Sequence, residues 1–168
     1  MDDNSKKTAL RMIPYGLYVM TAEDKDDRIS AATVNWVTQA SFKPPLLAVG
    51  VKADSQIHDI TKTAGNFALN VLGKGQQGVA YAFFKPAERN GQKISGEPFH
   101  TGSTGAPILD NTPAFIECRL VTTVEEGDHS IFIGEVVDAG VNQEPEGRAD
   151  DAILLLKDLG EKARLYGD

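Results

Sequence analysis

The sequence predicts a mainly β fold, an antiparallel barrel with a few short helices. Its 168 residues, 41% of them hydrophobic, suit one domain with a sizeable core. At least six segments are rich in β-branched or aromatic residues, and short polar turns join several neighbours. Parallel strands need long crossover connections, so these turns favour an antiparallel barrel over a doubly wound sheet. We expect a single domain over 1–168, with the barrel over about 12–142.

The first half of the chain is expected to form four strands and one helix. Residues 46–51 are an almost continuous apolar run directly after Pro44-Pro45, which is typical of a strand buried on both faces. Ser55 is placed to cap a helix over 56–64. The strands of this half are predicted over 16–21, 28–37, 46–51 and 67–72.

The second half is expected to contain one clear hairpin. Strands over 114–124 and 129–137 flank a Gly-Asp turn. Cys118 falls on the apolar face of the first strand, so it is interpreted as a core residue rather than a nucleophile. Residues 85–113 show no period and predict a long, functional loop. Apolar residues at helical spacing in the tail predict a C-terminal helix over about 150–165.

One glycine motif suggests a redox nucleotide by itself. Gly73-Lys-Gly75-Gln-Gln-Gly78 matches the dinucleotide fingerprint G-x-G-x-x-G, with a predicted strand before it and a predicted helix after it. The fingerprint belongs to a parallel βαβ unit with an acidic residue about 20 positions further on, whereas Glu97 lies in the irregular loop. We therefore interpret the motif as a strand-to-helix turn, with at most one N–H or Gln76 near a cofactor.

Composition argues against several classes of function. The net charge of −7, with dispersed lysines and arginines, argues against a nucleic-acid surface, which requires a basic patch. No stretch approaches the roughly 18 apolar residues of a membrane span, and no signal peptide is recognisable, so a cytoplasmic protein without membrane contact is expected. One cysteine and three scattered histidines offer no metal-ligand spacing.

Three stretches hold more polar residues than a strand core needs. Residues 33–42 could hydrogen-bond the edge of a planar heterocycle, although a strand ending in a turn explains each of them singly. Lys52 and Ser55 meet at a helix start, which suits a phosphate; the alternative is a plain N-cap beside a solvated lysine. His129 follows a Gly-Asp turn, where it is either simply exposed or in contact with a nicotinamide or phosphate.

At these residues the chain resembles the flavin reductase-like family. Four motifs carry the resemblance in the family's order, across roughly residues 12–142: YGLYVMT, SAATVNWVTQASFKPP, NFALNVL and EGDHSIFIGEV. The Asn-Trp-Val-Thr-Gln form is also similar to the flavin reductase domains fused in diflavin and rubredoxin-like proteins. The resemblance implies an FMN-binding, antiparallel Greek-key split β-barrel that forms a homodimer, with each flavin near the subunit interface.

The resemblance also implies a role for each candidate site residue. Residues 33–39 would line the isoalloxazine ring and ribityl chain, the group around Lys52 would hold the phosphate, and Phe84 with its neighbour would close over the cofactor. His129 would be the catalytic residue, at a position associated with nicotinamide binding. The implied cofactor-binding residues are Thr33, Val34, Asn35, Trp36, Val37, Thr38, Gln39, Lys52, Ala53, Ser55, Phe84 and Lys85.

The implied function is transfer of a hydride from NAD(P)H to FMN, which then passes electrons to free flavin, oxygen, a ferric complex or a separate protein partner. Two alternatives stay open at this point. One is a flavin-binding electron carrier or sensor without nicotinamide-dependent turnover, because the bulky Trp36 in the flavin strand could restrict nicotinamide stacking. The other is a split barrel for a different planar ligand such as haem. FAD in place of FMN, and NADH against NADPH, also stay open.

Overall fold

The computed structural model describes residues 1–160 and confirms the mainly β fold. Its strands are β1 (Tyr18–Glu23), β2 (Ile29–Val34), β3 (Val37–Ser41), β4 (Leu46–Lys52), β5 (Asn66–Val71), β6 (Arg89–Asn90), β7 (Lys93–Ile94), β8 (Glu97–Thr101), β9 (Pro107–Leu109), β10 (Ala114–Val124) and β11 (His129–Val141). Its helices are α1 (Asp3–Arg11), α2 (Gln56–Ala64) and α3 (Gln77–Ala82), and two short 3-10 helices span Ala149–Asp151 and Leu156–Leu159. Seven strands form one antiparallel sheet in the order β2, β1, β5, β10, β11, β4, β3.

This sheet curls because its two edge strands are consecutive in the chain. β2 and β3 lie at opposite ends of the sheet order, yet only Asn35 and Trp36 connect them. The backbone N–H of Gly50 in β4 donates to the Trp36 carbonyl at 2.8 Å, which ties this crossing to the far side of the sheet. The predicted strand over 28–37 is confirmed over Ile29–Val34 and wrong at its end, because Val37 already belongs to β3. Nothing in the local residue pattern marks the point at which the chain leaves one edge and starts the other.

Two apolar cores lie on opposite faces of β1. Val19 and Met20 are both completely buried, although neighbouring side chains of a strand point to opposite faces. Met20 belongs to the core inside the barrel, together with Phe67 and Phe132. Val19 belongs to a second core, in which residues of α3, the small strands and the C-terminal segment also pack, among them Leu154. The barrel is thus supported from outside as well as from inside.

The predicted loop over 85–113 contains a second, four-stranded antiparallel sheet, in the order β6, β7, β8, β9. These strands have two to five residues, too few to show a period in the sequence. Buried polar side chains attach them to the barrel. The Asn70 amide donates to the Val19 carbonyl at 3.0 Å and accepts from the Leu109 N–H at 2.9 Å, and the Thr21 hydroxyl donates to the Pro107 carbonyl at 2.6 Å.

The predicted C-terminal helix over 150–165 is wrong for the residues that the structure describes. Between the two 3-10 helices the chain is extended, with single β-bridges from Ile153 to Gly73 and from Leu155 to Gly16. Leu154 and Leu156 are buried in the second core. The helical spacing of apolar residues reflects burial in a groove rather than a helix. Residues 161–165 of the prediction lie outside the described residues.

The sequence-based prediction missed α1 at the other end of the chain. None of its residues is buried, and only Ala9 and Leu10 are apolar, so the sequence shows no apolar stripe of the kind that reveals a helix. The available signal was the N-cap: the Asp2 carboxylate accepts from the Ser5 N–H at 2.8 Å. Within residues 1–160, no helix is both long and apolar enough to cross a membrane.

Candidate functional site

Two pockets open side by side next to the crossing between β2 and β3. We call the smaller one, of about 250 Å³, the polar pocket, and the larger one, of about 680 Å³, the apolar pocket. Gly50 and His129 line both and form the wall between them. The polar pocket is lined by Ala32, Thr33, Val34, Asn35, Gly50, Val51, Lys52, Ser55, Ile57, Phe83, Phe84 and His129. The apolar pocket is lined by Leu10, Ile13, Pro14, Tyr15, Trp36, Val37, Thr38, Ala48, Val49, Gly50, His129 and Ile131.

One end of the polar pocket is the junction of β4 and α2. Ser55 caps the helix: its hydroxyl oxygen accepts from the His58 N–H at 3.3 Å, and its proton goes to the Lys52 carbonyl at 2.7 Å. The Lys52 ammonium lies 3.6 Å from the carboxylate of Asp54, and both side chains are largely exposed. An exposed cation at the positive end of a nine-residue helix is suited to an anionic group such as a phosphate.

The wall of the polar pocket contains a buried donor that the protein itself does not use. The side-chain nitrogen of Asn35 is shielded from solvent and has no hydrogen-bond partner among the described residues. Buried polar groups are nearly always paired, so an unpaired one on a residue that lines a pocket is compatible with a ligand that accepts its hydrogen bond. The pocket therefore fits a heterocycle with ring acceptors, joined to an anion that reaches Lys52.

Thr33 and Phe84 are brought to the polar pocket by contacts between β2 and α3. The Thr33 N–H donates to the Phe83 carbonyl at 3.0 Å, and the Thr33 hydroxyl donates to the Ala80 carbonyl at 2.7 Å. Phe83 is buried beneath the pocket, while Phe84 is half exposed at its rim and meets Tyr81 edge-on at 5.9 Å. The apolar ring of Phe84 is thus placed at the edge of the pocket, where it could contact a ligand, and is not fixed in the core.

Three aromatic rings, those of Tyr15, Trp36 and His129, line the apolar pocket, and His129 also lines the polar one. The rings of Trp36 and His129 lie 4.6 Å apart, and that of Tyr15 lies 6.4 Å from Trp36. Trp36 fits against Gly50, where an added Cβ would lie only 3.0 Å from the Trp36 Cβ. His129 Nδ1 is 2.9 Å from Asp128 Oδ1, and this hydrogen bond lowers the pKa of the Asp128 carboxyl. An ionised Asp128 therefore fixes the orientation of the His129 ring.

Not every predicted residue lies on these walls. Thr33, Val34, Asn35, Lys52, Ser55, Phe84 and His129 meet at the polar pocket, and Trp36, Val37 and Thr38 line the apolar one. Gln39 points elsewhere and donates to the Ser41 carbonyl, Ala53 is exposed and donates its N–H to the Asp128 carbonyl, and Lys85 is exposed. Their predicted cofactor contacts stay predictions.

Sequence reasoning missed Tyr15, Gly50 and Phe83. The only local signal was Gly50, a glycine inside an otherwise apolar strand, which often marks a close approach of another group. Tyr15 and Phe83 are distant from β4 in sequence and reach the pockets only through the fold.

The glycine motif, residues 73–78, lines neither the polar nor the apolar pocket. The Gly73 N–H donates to the side-chain oxygen of Gln76 at 2.8 Å, and the Gln76 amide donates to the Asn111 carbonyl at 2.7 Å. Lys74 pairs with Asp158 at 2.9 Å. The motif is a strand-to-helix turn, as predicted, and Gln76 lines a third pocket rather than the polar one.

Cys118 is buried in the barrel core, where burial, reinforced by the charge of Glu117, raises the pKa of its thiol to about 12. A thiol that stays protonated is a poor nucleophile, in agreement with its interpretation as a core residue. Over residues 1–160, no group of three or more potential ligands is arranged to hold a metal ion.

Comparison with known proteins identifies the family. A family model, the flavin reductase like domain, matches residues 10–160. A flavin reductase of Pseudomonas putida is 33% identical over 151 residues, which are 90% of this chain and 84% of that protein. Diflavin flavoprotein A 1 of Synechocystis is 32% identical over 140 residues, 83% of this chain. The chain spans only 24% of that protein's length, and its similarity confirms the resemblance to fused flavin reductase domains.

The fold is also similar to that of a solved structure. The NADH:FAD oxidoreductase SgcE6 of Streptomyces globisporus, in complex with NAD and FAD fragments, superposes with a TM-score of 0.70 at 29% sequence identity. The superposition covers 84% of this chain and 85% of that one.

Proposed function

Because the chain belongs to the flavin reductase-like family, we propose that it binds FMN in the polar pocket, reduces it with NAD(P)H and passes the electrons to an acceptor. One observation carries the proposal: the unused Asn35 donor, the Lys52 and Ser55 end of α2, and His129 all line one pocket. The flavin supplies the redox chemistry, since its ring accepts a hydride and releases one or two electrons. The protein needs no acid–base set of its own.

Each residue has a part in that proposal. Lys52 and the start of α2 hold the phosphate, Asn35 donates to an acceptor on the ring edge, and Phe84 covers the ring from the rim. His129, kept in place by Asp128, meets the nicotinamide at the pocket opening. FMN is favoured over FAD because one lysine at one helix start suits a single phosphate group.

The acceptor and the assembly belong to the same proposal. Free flavin, oxygen, a ferric complex and a separate protein are all compatible with an open pocket. We also propose a homodimer, as the family resemblance implies. Large apolar side chains near the apolar pocket and at the end of β3 support it: Met12 is 76% exposed and Phe42 is 86% exposed.

Flavin titration followed by anaerobic mixing with NADH and NADPH tests the proposal. We expect FMN to bind, with quenching of its fluorescence, and one or both nicotinamides to bleach its visible absorption band. FMN binding without bleaching would instead show the electron carrier. The Trp36 ring, 4.6 Å from that of His129, favours this second candidate because it occupies space beside the nicotinamide position. Failure to take up FMN would refute both.

A further inference from the structure

A buried histidine lies directly behind the polar pocket. His58 of α2 is 5% exposed, and its ring packs against Phe132 with the centroids 4.9 Å apart. Its Nε2 lies 2.8 Å from the hydroxyl of Ser130, which is also buried. Histidine is uncommon in a core, and a side chain that hydrogen-bonds across 72 positions of sequence joins two separate elements.

The two elements are α2, which begins at the proposed phosphate site, and β11, which begins at His129. The backbone N–H of His58 donates to the hydroxyl of Ser55 at the start of α2. Ser130 directly follows His129, and in the sheet register His129 faces Lys52 while Ser130 faces Val51. Successive side chains of a strand point to opposite faces, so Ser130 points into the core while His129 lines the pockets.

We propose that His58 is a positioning residue that holds the phosphate end of α2 and the His129 end of β11 in a fixed relation. Its side chain acts on β11 through Ser130, while its backbone N–H donates to Ser55 at the start of the same helix, and it is not among the residues that line either pocket. The inference rests on the proposed function. A purely structural histidine would affect stability alone, whereas a positioning residue also affects flavin affinity and the reduction rate.

Three variants separate these roles. His58→Leu removes the hydrogen bond to Ser130, and His58→Gln keeps an amide within reach of the hydroxyl. Thr61→Val is the matched control, because Thr61 is buried one turn further along α2 and its hydroxyl has no partner among the described residues. FMN affinity is measured by fluorescence titration, and the first-order rate of flavin reduction by stopped flow with saturating NADH or NADPH.

We expect His58→Leu to weaken FMN binding and to slow reduction, each on the order of tenfold, as for the loss of one buried hydrogen bond. His58→Gln should recover most of both losses, and Thr61→Val should match the parent protein. Recovery by glutamine, which cannot be explained by restored volume alone, is the result that identifies positioning.

Ser130→Ala removes the other partner of the hydrogen bond between His58 and Ser130. This variant replaces His58→Leu in the experiment if His58→Leu does not fold. The double variant should lose no more than His58→Leu, because the bond between His58 and Ser130 is already absent in that single variant. His58→Leu also removes the approach of Nε2 to Glu125 at 3.7 Å, so Ser130→Ala should have the smaller effect. Additive losses, or His58→Leu with a lower stability but parental affinity and rate, would overturn the inference. If the parent protein itself does not bind or reduce FMN, the proposed function fails as well, so the two failures are distinguishable.

Discussion

Within residues 1–160 two strands lead into α-helices, and the two junctions differ in what their donors do. At the glycine motif, between β5 and α3, the Gly73 N–H and the Gln76 amide are both used within the protein, and Lys74 is paired with Asp158. At the junction of β4 and α2, Lys52 is largely exposed and the pocket in front of it contains the unused Asn35 donor. We call the junction at the glycine motif closed, because its donors are used within the protein even though it borders the third pocket, and we call the junction of β4 and α2 open.

The comparison shows that a binding site depends on donors that folding leaves available. α3 has only six residues and its N-cap makes no side-chain hydrogen bond to the helix, whereas α2 has nine residues and is capped by Ser55. Gly73 of the motif lets the chain run close to Pro113 and to the C-terminal segment at Ile153. Four changes test this difference.

Lys52→Ala should have the largest effect on FMN affinity, a loss of about ten- to a hundredfold, because a charge-assisted bond to phosphate is removed. Lys74→Ala is its matched control, since each lysine pairs with one nearby aspartate at the surface. Equilibrium titration with FMN measures both. Equal losses in the two variants would show that the open and closed junctions do not differ in function.

His129→Ala should slow reduction of bound flavin by about tenfold while FMN affinity stays within a factor of about two. His100→Ala provides the control, because His100 is exposed and pairs through Nδ1 with Asp110 at 2.6 Å, much as His129 pairs with Asp128. Anaerobic stopped flow with NADH and NADPH gives the rates. Normal reduction by His129→Ala would mean that the nicotinamide binds elsewhere.

Gly75→Ala should lower the free energy of unfolding by about 1 kcal/mol, because Gly75 has a φ of +88° that a side chain disfavours. Gly78→Ala lies in α3 with open space around it and should raise stability by roughly 0.5 kcal/mol. Neither should alter FMN affinity. Chemical denaturation measures the stability of both variants. Weaker FMN binding by Gly75→Ala would show that the glycine motif belongs to the flavin site after all.

Asp158→Asn should have the smallest effect, on the pH dependence of stability. Hydrogen bonds from the Leu155 N–H and from Lys74 hold the Asp158 pKa below its ordinary value of 3.8. A carboxyl with a lowered folded pKa contributes stability that is present above the unfolded pKa and is lost as pH falls toward the folded one.

An amide side chain does not titrate, so the Asp158→Asn variant should be slightly less stable at neutral pH and should lose less stability in acid. Denaturant unfolding at a series of pH values, compared with the parent protein, gives both quantities. An identical acid dependence in the two proteins would show that Asp158 does not anchor the closed junction.

The residue order by itself determined the class of fold and most of the candidate site. Period-two runs predicted the hairpin of β10 and β11, an apolar run predicted β4, and Ser55 predicted the start of α2, because each signal is local. The motifs around Asn35 and His129 indicated the flavin family before any distance was known.

Only the tertiary structure decided which polar groups remain unused. Whether Gln76 or Lys74 offers donors to a ligand depends on their partners Asn111 and Asp158, tens of residues away in the chain. The break at Asn35 and Trp36 likewise follows from the curling of the sheet, which no local pattern encodes. Hydrogen-bond satisfaction and sheet curvature are properties of the whole fold, and this is why they appear only after it has formed.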